Sequence, residues 1–279
     1  MLKKFRWCII GFYICALASL ITATFVDLRL DIWLNNPTDP FSKWFEGTGE
    51  LPCRMIGVAA GLLIFYLCEK PLLKVFGLIL ELGFSAYMGY HYAMYFFKEE
   101  NLVVFGVLCG LELGALLLYA GKYMVIPNEM KRPLIILSFA GLAVMFIQLG
   151  CIEVIKSLWG RVRFRDLVTM PNYDRFTPWY HPNGINGNRS FPSGHTASAA
   201  MSYLMMLLPF ASKKWDKRKF VCFIVPFVYT SVVAFTRLVV GAHFLSDVTI
   251  GGVIGFTSVI IAIPILDKKF FKTDKKYTE

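Results

Sequence analysis

The chain has 279 residues, 56% of them hydrophobic and only 17% charged, with 29 Lys and Arg against 19 Asp and Glu. A soluble globular domain carries nearer ~25% charged residues, so the composition excludes an ordinary water-soluble fold. The net charge of +10 needs no nucleic-acid partner, because basic loops facing an anionic leaflet account for it.

Lipid offers no partner to backbone N–H and C=O groups, and crossing it takes a helix of about 20 mostly apolar residues. Eight stretches qualify: Trp7–Val26, Leu51–Cys68, Val75–Phe97, Leu102–Met124, Leu134–Ile155, Ser193–Phe210, Phe220–Val240 and Ser246–Leu266. The expected fold is therefore all-α, a polytopic transmembrane bundle of about eight helices forming a single integral membrane domain over residues 1–279. The second stretch is the weakest, since its uninterrupted apolar run, Met55 to Cys68, is short. The first follows Met-Leu-Lys-Lys-Phe-Arg. It exceeds the roughly 7–15 residues of a signal-peptide core and lacks a clear small-x-small cleavage site, so it is expected to persist as a signal anchor.

With the amino terminus inside, Lys3, Lys4, Arg6, Lys70, Lys74, Lys122, Lys131, Arg132, the run Lys213 to Lys219 and the tail Lys268 to Lys276 fall on the inner side. They make up 18 of the 29 basic residues. This bias predicts cytoplasmic termini in a multi-pass protein of the cell membrane.

Segments 27–50 and 157–191 then become outer-face loops. The first sets Asp27, Asp31, Asp39, Glu46 and Glu50 against Arg29 and Lys43. It is expected to be a solvated loop, with a lid or interfacial helix as the alternative. The second contains Trp159, Phe164, Phe176, Trp179 and Tyr180, aromatics suited to headgroup depth or to flanking a lipid entrance.

Within the spans, Gly106, Gly110 and Gly114, and likewise Gly251 and Gly255, repeat every four residues, the spacing of close helix approach in lipid. Glu81 and Glu112 must face protein or water, either as protonated packing residues or as part of a polar path. His91, among Tyr87 to Tyr95, reads as a packing residue, and His181 as a loop residue. The seven cysteines form no Cys-x-x-Cys pair and read as small apolar residues.

Three polar clusters interrupt this pattern. In Lys156-Ser-Leu-Trp-Gly-Arg-Val-Arg163 the outer cations are about two helical turns apart, so a continuing helix would present both on one face to one phosphate. Interfacial Lys and Arg are common enough to make this cluster weak alone. Pro192-Ser193-Gly194-His195 precedes an apolar run. It describes either a helix N-terminal turn whose N–H groups bind an anion or an ordinary Ser-capped helix with a surface histidine. In the third cluster His243 and Asp247 are four apart, beside one another on a helix. Aspartate accepting from one ring nitrogen would leave the other as a nucleophile. Arg237, across the Gly241 turn, would add a bidentate phosphate partner. A structural hydrogen bond or half a metal site are the alternatives, and no further ligand cluster supports the metal.

The arrangement Lys156-x6-Arg163, Pro192-Ser193-Gly194-His195 and Arg237-x5-His243-x3-Asp247 resembles the three-part signature of the membrane-bound type 2 phosphatidic acid phosphatases, within the vanadium haloperoxidase-like acid phosphatase superfamily. Two positions depart from it: Phe164 stands where the family usually has Pro, and Thr236 where it usually has Ser.

The resemblance implies that His243 attacks phosphorus with Asp247 orienting it, and that His195 protonates the leaving oxygen. Lys156, Arg163, Arg237, Ser193 and the Gly194 N–H would hold the phosphoryl oxygens. No metal and no cofactor would be required. It also implies a six-helix core with the first motif closing the third helix, whereas five predicted spans precede that motif here.

The expected activity is hydrolysis of a lipid phosphate or diphosphate at the extracytoplasmic face through a phosphohistidine. Undecaprenyl diphosphate, phosphatidic acid and phosphatidylglycerophosphate are all candidate substrates, and the oligomeric state is open. The alternatives are a lipid phosphotransferase with an alcohol acceptor, a transporter using Glu81, Glu112 and His91, and an inactive scaffold.

Overall fold

The computed structural model describes residues 2–97, 101–211 and 213–266. It is 80% helical with no strand among the described residues. In chain order the helices are α1 (Arg6–Leu34), α2 (Pro40–Thr48), α3 (Leu51–Leu67), α4 (Pro71–Tyr92), α5 (Asn101–Gly121) and α6 (Asn128–Trp159). There follow α7 (Phe164–Leu167), α8 (Gly194–Ala200), α9 (Leu208–Ala211), α10 (Lys213–Asp216), α11 (Val221–Val239) and α12 (Leu245–Leu266).

Seven helices among the described residues are long and apolar enough to cross a membrane, and the chain is a multi-pass membrane protein. They coincide with seven of the eight predicted spans. The remaining one, predicted at Ser193–Phe210, starts as α8 and continues as a 3₁₀ stretch, Met201–Leu207, into α9. Five of the seven precede or contain the first cationic cluster, as the sequence count has it. The basic tail Lys268 to Lys276 lies outside the described residues.

The helices fall into two compact units. Among the described residues, one comprises 2–50, 146–206 and 219–265, and the other 51–97, 101–145, 207–211, 213–218 and 266.

In the second unit α4 packs on both α3 and α5. A β-carbon on Gly110 would collide with the Ser85 carbonyl oxygen, and one on Gly106 with Ala93 and the Gly89 carbonyl oxygen. Only a side chain of a single hydrogen permits that approach, which maximises dispersion contact where lipid gives no hydrophobic drive. Glu81 is buried on α4 and accepts from Ser85 Oγ at 3.2 Å. Glu112 lies on an exposed part of α5. His91 makes ring contacts with Tyr87, Tyr92 and Tyr95.

The first unit holds all eight candidate site residues. Here the structure corrects the expectation of a solvated loop at 27–50. Helix α1 continues past Val26 to Leu34 because Asp27 and Asp31, one turn apart, both lie on its buried face. Asp39 then caps α2 by accepting from the Ser42 N–H at 2.7 Å, with Pro40 in the first turn; a missing N–H costs nothing at that position. A main-chain bond from Asn36 N to Val239 O, 2.7 Å, ties the link between α1 and α2 to the end of α11.

The aromatics of 157–191 also turn inward to a large extent. Phe164 is buried with Val162, Leu167 and Phe244, and Phe176 and Tyr173 pack against that cluster. Trp159 stacks on Phe191 at 4.6 Å and donates to the Trp179 carbonyl at 2.8 Å. His181 is exposed.

Candidate active site

Three helix ends present the clusters. Lys156 stands in the last turn of α6. Gly160, with φ +57°, turns the chain out of that helix, so Arg163 is delivered by an extended residue that caps α7 and not by a continuing helix.

Ser193 caps α8. Its Oγ accepts from the Thr196 N–H at 3.4 Å and from Thr196 Oγ1 at 3.1 Å. Its own N–H donates to the Asp247 carbonyl at 2.9 Å, which joins the second cluster to the third. Gly251 lets this turn sit on α12, since a β-carbon there would collide with the Ser193 carbonyl oxygen. Lys156 Nζ lies 3.2 Å from the place a Gly194 β-carbon would occupy, which brings the first cluster against the second.

Helix α11 ends in a Schellman motif. Gly241 adopts φ +64°, its N–H donates to Leu238 O at 2.9 Å, and Ala242 N–H donates to Arg237 O at 3.0 Å. Glycine takes this left-handed conformation without a Cβ penalty, and the reversal places Arg237 and His243 at the two sides of one turn. Arg237 is buried, donates to the Ser42 carbonyl at 3.1 Å and faces Glu46 at 3.6 Å. Thr236, at one departure from the family signature, turns its hydroxyl back to Val233 O at 2.8 Å. Phe164, at the other, anchors its loop by packing on Tyr173 and Phe244.

The His243 imidazole is held differently from the sequence expectation. It precedes α12, and Asp247 Oδ2 is 3.8 Å from Nδ1, too far for a hydrogen bond. Nδ1 instead donates to the main-chain carbonyl of Ser190 at 2.6 Å. A carbonyl only accepts, so the neutral ring carries its proton on Nδ1 and its lone pair on Nε2. Asp247 acts on the carrier of that carbonyl: Ser190 Oγ donates to Asp247 Oδ2. The same oxygen accepts from Phe244 N–H at 3.0 Å, closing the first turn of α12. Burial pushes the His243 pKa down from 6.5 to about 3, with Lys156 and Arg163 acting in the same direction and Asp247 against it. The ring is thus neutral at physiological pH and lies within the field of two of the three cations.

Sequence reasoning missed the centre of this network. Arg161, 1% exposed, donates from Nη1 to Asp247 Oδ1 and to Ser246 Oγ at 2.8 Å, and from Nη2 to Asp27 Oδ2 at 3.0 Å. Its Nε donates to Thr177 O at 3.0 Å, and its guanidinium lies 4.1 Å from the Phe244 ring centroid. Its main-chain carbonyl accepts from Ser190 N–H at 2.9 Å. One arginine therefore fixes both Asp247 and the residue that holds His243. The available signal was Arg161 itself, an inner cation of the first cluster, together with the acidic pair Asp27 and Asp31.

Also missed were Glu46 and Glu50. His195 Nδ1 is 3.3 Å from Glu50 Oε1, and its Nε2 is 3.0 Å from the Glu46 carbonyl oxygen. The Glu46 carboxylate instead faces Arg165 at 3.4 Å and Arg237. Arg163 Nε is buried and has no hydrogen-bond partner among the described residues, a donor available to an anion. Among the described residues no group of three or more His, Cys, Asp and Glu is placed to hold a metal ion.

A buried neutral imidazole with cations acting on it near helix ends is an arrangement chemically suited to an anion. Residues 135–271 match the family model described as the PAP2 superfamily, a match consistent with a type 2 phosphatidic acid phosphatase family member. The match points to a phosphatase acting on phosphate esters. No curated protein and no solved structure matches the chain. All eight candidate residues lie within the matched segment, whereas Asp27, Glu46 and Glu50 lie outside it.

Proposed function

We propose that the protein hydrolyses a lipid phosphate or diphosphate through a phosphohistidine on His243. The observation carrying this reading is the neutral His243 ring, with Nδ1 committed to the Ser190 carbonyl and Lys156 and Arg163 close by. Nε2 attacks phosphorus while the bond to the leaving oxygen breaks, and His195 gives that oxygen its proton. Lys156, Arg163 and Arg237, with Ser193 and the Gly194 N–H, hold the equatorial oxygens as charge spreads over them. Water, deprotonated by His195, then cleaves the P–N bond and releases phosphate.

Bound in this way, a headgroup is processed at helix ends while its hydrocarbon stays in the bilayer. The charge bias of the loops supports a site on the extracytoplasmic face and cytoplasmic termini. The transfer of a phosphoryl group to water needs no cofactor, since the cations of the site supply the electrostatic stabilisation.

The test is phosphate release from phosphatidic acid, phosphatidylglycerophosphate and undecaprenyl diphosphate in detergent micelles containing EDTA, for wild type and His243→Ala. Release that survives EDTA and disappears in the variant is expected. Full activity in a folded His243→Ala protein, or no release by folded wild type from any of the three, overturns the proposal.

A further inference from the structure

We infer that Glu50 is a positioning residue for His195, orienting its ring and favouring the doubly protonated form that a general acid requires. The inference rests on the phosphatase reading above. Its warrant is the environment of the two ring nitrogens. Nε2 faces the Glu46 main-chain carbonyl at 3.0 Å and Nδ1 faces the Glu50 carboxylate at 3.3 Å. Both neighbours are acceptors without protons of their own. A neutral imidazole has one N–H and would aim a lone pair at one of them, whereas an imidazolium satisfies both. Burial, and then the cations Arg237 and Lys156, push the His195 pKa down toward the neutral form, against Glu50 and the Glu46 carbonyl. The side chain that balances them at the ring is Glu50, because the Glu46 carboxylate is turned to Arg165 and Arg237.

Glu50 is fixed in place by its neighbours. It directly follows Gly49, whose N–H closes the last turn of α2 on Phe45 O at 2.7 Å. The Tyr229 hydroxyl of α11 lies 3.4 Å from Thr48 O and 3.3 Å from Gly49 O. A β-carbon at Gly49 would stand 3.1 Å from Val233, so the end of α2 sits directly against α11. The carboxylate reaches His195 from a docked helix end.

The proton balance follows from this geometry. In the first step the Nε2 proton leaves the weak carbonyl acceptor for the oxygen departing from phosphorus, and the ring becomes neutral with Nδ1–H still held by Glu50. In the second step Nε2, now carrying a lone pair, takes a proton from the water that attacks phosphohistidine. The imidazolium is restored, and Glu50 stays ionised throughout.

The test compares kcat/KM on two phosphate monoesters bearing the same hydrocarbon chain, one with an alkyl leaving group and one with an aryl leaving group. An aryloxide departs with little protonation, so loss of the acid is felt mainly on the alkyl ester. Glu50→Gln is expected to lose about 10- to 100-fold on the alkyl ester, at least about ten-fold more than on the aryl ester. Its basic pH limb is expected to move to lower pH. In a His195→Gln background the same substitution should cause no further loss, because the group it serves is gone. Glu50→Asp, which keeps the charge, should recover part of the alkyl activity and serves if Glu50→Gln does not fold.

Equal losses on both esters, no loss on either, or losses that multiply in the double variant would overturn the role of Glu50 while leaving the phosphatase reading intact. Wild type inactive on both esters would remove both.

Discussion

Replacing Arg161 with Met tests the network beneath His243 most directly. The guanidinium is 1% exposed and serves Asp27, 4% exposed, and Asp247, fully buried. Met keeps an apolar side chain of similar length but removes the guanidinium over Phe244 and the charge that allows two carboxylates to remain buried. Removing one partner of a buried ion pair costs roughly 3–5 kcal/mol, because the charge left behind is uncompensated. Taking about 4 kcal/mol and about 2–4 °C per kcal/mol for a chain of this size, the midpoint of thermal unfolding should fall by roughly 8–16 °C. The assay is tryptophan-fluorescence melting in detergent, with kcat/KM measured well below the midpoint. Activity should fall as well, since Asp247 and Ser190 lose their common anchor.

The sign of a second substitution makes the reasoning specific. Asp27→Asn should destabilise the wild type by removing half of an ion pair, yet stabilise Arg161→Met by removing an orphaned charge. Buried coupling of this kind amounts to roughly 0.5–3 kcal/mol. A midpoint for Arg161→Met within about 2 °C of wild type, or Asp27→Asn destabilising both backgrounds equally, would refute the argument.

The depressed pKa of His243 sets two pH dependences. Folded His243 protonates at about 3 against 6.5 when unperturbed, so between those values the unfolded state binds more protons. Its contribution leaves stability undiminished above about pH 6.5 and erodes it as pH falls toward 3, while kcat/KM shows no acidic limb from this ring above about pH 5. Imidazole NMR showing His243 titrating near 6.5 would contradict both. Ser190→Ala removes the hydroxyl bonded to Asp247 and keeps the carbonyl bonded to His243; it should cost roughly 1.5–3 kcal/mol by thermal melting without changing the ring tautomer seen by NMR. Gly251→Ala should lose roughly 1–3 kcal/mol and much of the activity, because its β-carbon would strike the Ser193 carbonyl. Gly252→Ala, whose β-carbon meets only ordinary contacts at 3.7 and 3.9 Å, should leave the melting midpoint nearly unchanged.

The spans were legible because lipid imposes one simple rule on twenty residues at a time. Long apolar runs such as 75–97 and 102–124 reappear as α4 and α5 with small changes at their ends. The exception at the start of the chain has a physical cause. Asp27 and Asp31 read as the point where α1 must leave the apolar phase, yet the helix carries Asp27 to Arg161 and so continues to Leu34. Asp31 is buried one turn further on, and neither of its carboxylate oxygens has a hydrogen-bond partner among the described residues. Hydropathy cannot distinguish a carboxylate that ends a helix from one that finds a partner 134 positions away.

The candidate site side chains were legible for a different reason. Histidine, arginine and lysine at helix ends are costly in an apolar chain, and spacing alone suggested what each would face. Their supports were not, because support here is carried by main-chain groups and by distant acids. The proton on His243 is located by a Ser190 carbonyl, an atom every residue possesses, so no residue type marks that position. Glu46 and Glu50 are one turn apart in sequence but face different partners, one toward two arginines and the other toward His195. The segment carrying them lies outside residues 135–271, while its helix α2 packs against α11. A motif defines which groups can react, but the environment that decides their protonation is assembled from parts of the chain that the motif does not span. In this protein the amino-terminal residues Asp27, Glu46 and Glu50 supply acceptors to a site otherwise rich in donors.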